Sequence, residues 1–168
     1  GVTNPTNDTT PEYTFSSNEA GTITYGGSCS SSTTSASSGS NTITLKGSSS
    51  DELADNTTYS DCTVAVTDAA GNVSSSITIS SFEVDTNAPS LEEVTAVTTP
   101  TNDQTPNYSF KSTQPGDITY GGSCSSSTSS AAASDNITIS LTNTSSGNLA
   151  EDNYTDCTIT VTDNASNP

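Results

Sequence analysis

Histidine is absent from this chain, and with it every catalytic arrangement that relies on an imidazole base. Tryptophan and methionine are absent too, and aromatic residues reach only 5%. Two basic residues face nineteen acidic ones, for a net charge of −17. That balance excludes nucleic-acid binding and docking on anionic membranes. Hydrophobic residues make up 28%, and no apolar run is long enough to cross a bilayer. A small domain with so little to bury usually needs a covalent staple.

Low hydrophobicity with high net charge is also the composition of disordered chains. Here it is not read that way, because the sequence repeats itself and keeps its apolar alternation in both copies. Thr-Asn-Asp at Thr6–Asp8 returns at Thr101–Asp103. Ile-Thr-Tyr-Gly-Gly-Ser-Cys at Ile23–Cys29 returns unchanged at Ile118–Cys124, and Tyr59-Ser-Asp-Cys62 as Tyr154-Thr-Asp-Cys157. Each recurrence lies 95 residues on, as from Cys29 to Cys124. So long a period means two folded modules in tandem, not a solenoid. Their expected bounds are 1–88 and 89–168.

The four cysteines fall two per copy at matched positions, with no CxxC spacing, so zinc lacks its usual ligands. The repeat selects the pairs Cys29–Cys62 and Cys124–Cys157. Each closes a loop of roughly 34 residues, worth on the order of 3–4 kcal/mol in the loop-entropy model. Lasting disulfides belong outside a reducing cytosol, so an extracellular or cell-surface location is expected. The chain begins directly in domain residues, which reads as a mature or excised piece of a secreted or surface protein.

No stretch carries a helical period. Alternation of period two recurs instead: Tyr13 with Phe15, Ile23 with Tyr25, Ile43 with Leu45, then Cys62, Val64 and Val66, then Ile77 and Ile79. Phe82 and Val84 continue the last run in opposite parity, which predicts a bulge near Ser80-Ser81. With a short strand at Val2–Thr3 and an edge strand in the Ser-rich stretch, about seven strands result. The fold class is therefore all-β, with each copy an antiparallel β-sandwich carrying one disulfide. Asp68–Asn72 and Glu19–Gly21 read as turns with glycine at a positive φ, and Pro115-Gly116 marks the second copy's turn. The linker is placed at Asp85–Ser90, where Pro89 restricts the backbone. The bridge is expected to pin two adjacent strands at one end of the sandwich and to tether the Ser-rich segment Ser30–Ser40.

Three further segments carry a resemblance. Thr6–Pro11, Thr67–Asn72 and Asp85–Pro89, in that order, look like the immunoglobulin-like tandem repeats of giant bacterial surface adhesins and biofilm-associated proteins. What this implies is an extracellular extender whose neighbours are copies of itself. It also implies calcium at domain junctions, and the matching oxygen ligands here are Asp68, Asp85, Asn87 and Asp103. The competing reading of those four residues is that they form turns.

Carboxylate pairs such as Asp51-Glu52 and Glu92-Glu93 do not recur between copies, so solvated surface explains them, and no enzyme is expected. Lys46 and Lys111 match Leu141 and Ser16, so no isopeptide crosslink is common to both copies. Glycosylation sequons stand at Asn7, Asn56, Asn72, Asn107, Asn136, Asn143, Asn153 and Asn164. Ser and Thr supply about two-fifths of the chain, which offers O-linked acceptors as well.

Copy one ends in a strand over Val73–Val84, and copy two has no counterpart for it. Either the strand follows in a longer array, or another subunit supplies it by strand addition. The leading expectation is a structural module, forming an adhesin stalk or an extracellular filament. The alternative is a module binding glycan or another cell surface through loops at one end. The exposure of Tyr25 and Tyr120 separates the two.

Overall fold

The computed structural model describes residues 1–145 and 147–168, and every regular element among them is a β-strand. The chain divides into two compact units, Gly1–Asn87 and Ala88–Pro168.

Unit one holds ten short strands. They are β1 (Glu12–Ser17), β2 (Gly21–Gly26), β3 (Cys29–Ser30), β4 (Ser35–Ala36) and β5 (Gly39–Thr44), then β6 (Lys46–Gly47), β7 (Thr57–Tyr59), β8 (Thr63–Asp68), β9 (Ile77–Thr78) and β10 (Phe82–Val84). All ladders are antiparallel: β1 with β5, a four-stranded sheet β4–β2–β8–β9, and the pairs β7–β10 and β3–β6. Alternation sets which faces meet. In β8, Val64 and Val66 point inward between Thr63, Ala65 and Thr67. In β2, Ile23 does so between Thr22 and Thr24. One core gathers Phe15 and Ile43 from β1 and β5 with Ile23, Val64 and Val66 from the larger sheet.

The segment after β8 is not one bulged strand. Ile77-Thr78 pairs with Val64 and Thr63, whereas Phe82–Val84 pairs with Tyr59–Thr57 in a different sheet. Ser80-Ser81, both small and exposed, is where the chain crosses between them. The parity change has a physical reason. It lets Ile79, Phe82 and Val84 all point into the core, at 2%, 1% and 0% exposure. The ring of Phe82 stacks on Tyr59 with centroids 5.4 Å apart.

Two other expectations are corrected. Val2–Thr3 forms no strand, and Val2 packs against the core while Thr6 makes a parallel bridge to Val84. Gly21 does not have a positive φ. It is glycine because a Cβ there would collide with the carbonyl of Thr67 on the paired strand, as one at Gly116 would with Thr162. Gly71 does adopt φ 90°, in the Asp68–Asn72 turn.

Unit two contains β11 (Leu91–Thr95), β12 (Asn107–Ser112), β13 (Gly116–Gly121), β14 (Cys124–Ser125), β15 (Ser130–Ala131), β16 (Ile137–Ser140), β17 (Thr142–Asn143) and β18 (Thr158–Asp163). Its sheets are β11–β12–β16, β15–β13–β18 and β14–β17. The β13–β18 ladder repeats β2–β8 register for register, with Gly121↔Thr158 matching Gly26↔Thr63. Its core is smaller: Phe110, Ile118, Ala131, Ile137, Ile139 and Val161.

The inward triplet yields a test. Phe82→Ala is expected to destabilise unit one by about 3–5 kcal/mol in urea unfolding. Ile77→Ser, at an exposed position of β9 on the edge of its sheet, is expected to cost well under half as much. Equal effects would refute the strand crossing.

Candidate functional site

Two places bring repeated residues together: the disulfide corner, present in both units, and a cleft present in unit two. The corner begins with Gly27 and Gly122, at φ 77° and 73°, in the tight turn that ends β2 and β13. No side chain fits there, because a Cβ would strike the backbone of Asp61 or Asp156. The turn delivers Cys29 beside Cys62 and Cys124 beside Cys157, each pair bonded with Cα atoms 5.2 Å apart. Each bridge therefore closes the end of a ladder whose last pair is Gly26↔Thr63 or Gly121↔Thr158.

Asp61 completes the corner by accepting from the Ser28 amide at 3.1 Å and the Ser28 hydroxyl at 2.9 Å. Those two donors, the amide foremost, hold its carboxyl below the ordinary value. Asp156 is lowered likewise, chiefly by the Ser123 hydroxyl at 2.8 Å. Both carboxylates lie in the repeated Tyr-x-Asp-Cys motif, yet their role is visible only in the fold.

Tyr25 and Tyr120 are half-buried against their cores. Each donates its hydroxyl to a carbonyl of the Ser-rich segment, Thr33 at 2.6 Å and Thr128 at 2.7 Å. Burial pushes both phenols above their ordinary value. Neither ring lies flat and open as a stacking platform, so each serves as a tether.

The four oxygen ligands considered for calcium sit as follows. The Asp68 carboxylate accepts from the amides of Ala70 and Asn72 and from the Asn72 side chain, all at 2.8 Å. Asp85 accepts the Asn87 amide at 3.0 Å, and the Asn87 side chain donates to Asp55 at 2.6 Å. Asp103 accepts the Thr105 amide at 2.9 Å, as Asp8 accepts that of Thr10. Among the described residues, no three carboxylate, cysteine or histidine groups converge on one point. Asp55, which sequence reasoning missed, also accepts the Thr86 amide at 2.8 Å, the main cause of its lowered pKa. It locks the end of unit one, and only a contact 31 residues away in sequence reveals it.

Seven of the sequon asparagines are exposed, and Asn143 is half-buried. Its side chain is committed to the Ser145 and Gly147 amides and to the Asn148 carbonyl. The Asn72 amide group is held by Asp68, and that of Asn107 accepts from Ser140.

The cleft in unit two has a volume of about 890 Å³ and runs between the segment Val97–Asp103 and a wall containing Tyr108, Leu141, Tyr154 and Cys157. A second hollow of about 400 Å³ shares Tyr108, Cys124, Leu141 and Cys157 with it. The matching side chains of unit one are shut away: Leu45, Cys62 and Tyr59 are buried, whereas Leu141 and Tyr154 are half-buried and Cys157 is exposed. In unit one the segment holding β9 and β10 packs against two of them: the Ile79 amide donates to the Cys62 carbonyl at 2.9 Å and the Phe82 ring stacks on Tyr59. The lining of this cleft is largely aromatic, apolar and sulfur surface.

The chain matches no protein-family model, and comparison with curated proteins and with solved structures returned no match.

The corner carboxylates have a pH signature. A carboxyl whose folded pKa is depressed stabilises above its unfolded value, about 3.9, and that contribution is lost as pH falls through the folded pKa. Below about pH 4 the double variant Asp61→Asn/Asp156→Asn is therefore expected to lose less melting temperature than the parent chain. Parallel curves would show that the two corners carry no linked proton.

Proposed function

We propose that this chain is a structural, extracellular module: two tandem immunoglobulin-like sandwiches that act as the stalk of a surface adhesin or as the body of an extracellular filament. The observation that carries the reading is that each repeated motif is consumed in holding its own unit. Gly-Gly-Ser-Cys and Tyr-x-Asp-Cys build the stapled corner, the repeated tyrosines tie down the Ser-rich segment, and Asp68 organises its own turn. A binding or catalytic repeat would instead spend matched side chains outward.

For unit one the sandwich reading is supported by the sheet β4–β2–β8–β9 sharing one core with the β1–β5 pair. Two disulfides fit an oxidising setting. Scattered acidic surface suits a solvated extender whose neighbours repel side to side. The resemblance to bacterial adhesin repeats points the same way. For Asp68, Asp85, Asn87 and Asp103 the hydrogen bonds favour turn formation over calcium. The glycan-binding alternative loses its aromatic platform, since Tyr25 and Tyr120 are hydrogen-bonded to their own chain.

Electron microscopy of native material tests the reading: beaded threads are expected, and isolated two-bead particles at high concentration would overturn it. Melting in a calcium chelator is expected to leave the transitions unmoved. A fall would restore calcium as a joint between repeats.

A further inference from the structure

In both units the tyrosine of the Tyr-x-Asp-Cys motif ties down the loop that leads into it. The Ala54 amide donates to the Tyr59 hydroxyl at 2.7 Å, and the Ala150 amide to the Tyr154 hydroxyl at 2.9 Å. Within this loop the copies differ in spacing: Leu53 matches Leu149 at an offset of 96 (149 − 53), whereas Tyr59 matches Tyr154 at 95 (154 − 59). Each loop nevertheless carries a sequon, Asn56-Thr57-Thr58 in one and Asn153-Tyr154-Thr155 in the other. An offset of 95 sets Asn153 against Thr58, so neither sequon is the repeat of the other. No other sequon has a partner in the matching loop. Asn7 finds Asn102 followed by Asp-Gln, Asn136 finds Asn41 followed by Thr-Ile, and Asn72 finds Asn167 followed by proline, which bars the motif. Asn107 and Asn164 find Glu12 and Ala69. Asn143 pairs with Cys124 where Gly47 pairs with Cys29.

Side-chain engagement separates the same two sites. Asn56, Thr58, Asn153 and Thr155 are all exposed. Among the described residues neither asparagine carboxamide and neither threonine hydroxyl makes a hydrogen bond. Asn72, Asn107 and Asn143 are each held by their own unit, and the Thr138 hydroxyl that serves Asn136 shares a hydrogen bond with Ser109 at 2.8 Å. Asn56 stands in the turn before β7 at φ 52°, a backbone state that asparagine tolerates. The openness of Asn153 does not depend on the cleft beside it. Its matches Thr58 and Ser60, for Asn153 and Thr155, are exposed in unit one, where β7 is paired with β10.

We infer that Asn56 and Asn153 are acceptors of an N-linked glycan, one in each unit. The donor is an oligosaccharide carried on a lipid diphosphate. The carboxamide nitrogen bonds to the anomeric carbon while the bond from that carbon to the phosphate oxygen breaks. The lipid diphosphate leaves, and one amide proton passes to a base of the transferase. The motif also requires the hydroxyl two residues on, and here both hydroxyls are free to be read. Sugar on Asn56 adjoins Asp55, which holds Thr86 and Asn87, so it sets hydrated bulk beside the residues that end unit one. The inference rests on the extracellular reading, because such donors are used on the non-cytosolic side of a membrane.

The test is peptide mapping of the native chain by mass spectrometry, after cleavage at its acidic residues and with the disulfides intact. Sugar is expected on the peptides holding Asn56 and Asn153, and none on those holding Asn72, Asn107 and Asn143. Thr58→Ala and Thr155→Ala, made in the same organism, are each expected to lose sugar at their own site alone, while Thr58→Ser and Thr155→Ser retain it. An unchanged melting temperature of the deglycosylated variants shows that they still fold. Bare Asn56 and Asn153 overturn the inference. Sugar on Asn143 as often as on Asn153 overturns it too, because free side chains would then select nothing. Bridged cysteines with bare sequons would refute the sites and leave the extracellular reading standing; free thiols with bare sequons would overturn both.

Discussion

The ladder between β2 and β8, with its copy between β13 and β18, is the constraint on which both units depend. It runs six residue pairs from Gly21↔Asp68 to Gly26↔Thr63 and is closed at the far end by Cys29–Cys62. With 28% hydrophobic residues the chain cannot rely on a large core, and a bridge that limits the unfolded ensemble compensates for what burial does not supply. The corner is built to deliver that bridge. Gly27 turns the backbone through a positive φ, Asp61 fixes Ser28, and Cys29 arrives beside Cys62. A serine-rich segment with few apolar anchors can then be held by one tyrosine hydroxyl and a two-residue edge strand.

What the ladder cannot do is close the core. That falls to the crossing segment after β8, whose Ile79, Phe82 and Val84 are among the most deeply buried side chains of unit one. The segment leaves one sheet and joins another, so it seals the side of the core that the two main ladders leave open. In unit two the β13–β18 ladder keeps the register of β2–β8, while Cys157 is exposed and Tyr154 and Leu141 are half-buried.

Much of this was legible in the residues. Alternation at Tyr13/Phe15, Ile23/Tyr25 and Val64/Val66 gave the strands, because a half-buried strand leaves a period of two in any sequence. Gly71 announced its turn through its chemistry. Other features were not legible, for reasons of distance or of ambiguity. The parity change at Ser80-Ser81 has two solutions, a bulge or a change of sheet, and only the partners of Phe82 choose between them. Gly21 resembles a turn glycine, yet its smallness answers to Thr67, 46 residues away. Asp55 resembles any loop aspartate until Thr86 and Asn87 fold back on it. Thr6 has no local sign that it pairs with Val84.

By itself, then, the sequence determined what repetition and local chemistry encode: two copies, the cysteine pairing and the all-β class. Matched residues at a fixed offset must occupy matched places, and side-chain alternation needs no distant partner to be read. The tertiary structure alone decided which edges meet, where the tyrosine hydroxyls and aspartates are anchored, and that the segment after β8 crosses from one sheet to another. Those outcomes depend on contacts between residues far apart in the chain, and the physics of burial settles them only once the sheets have come together.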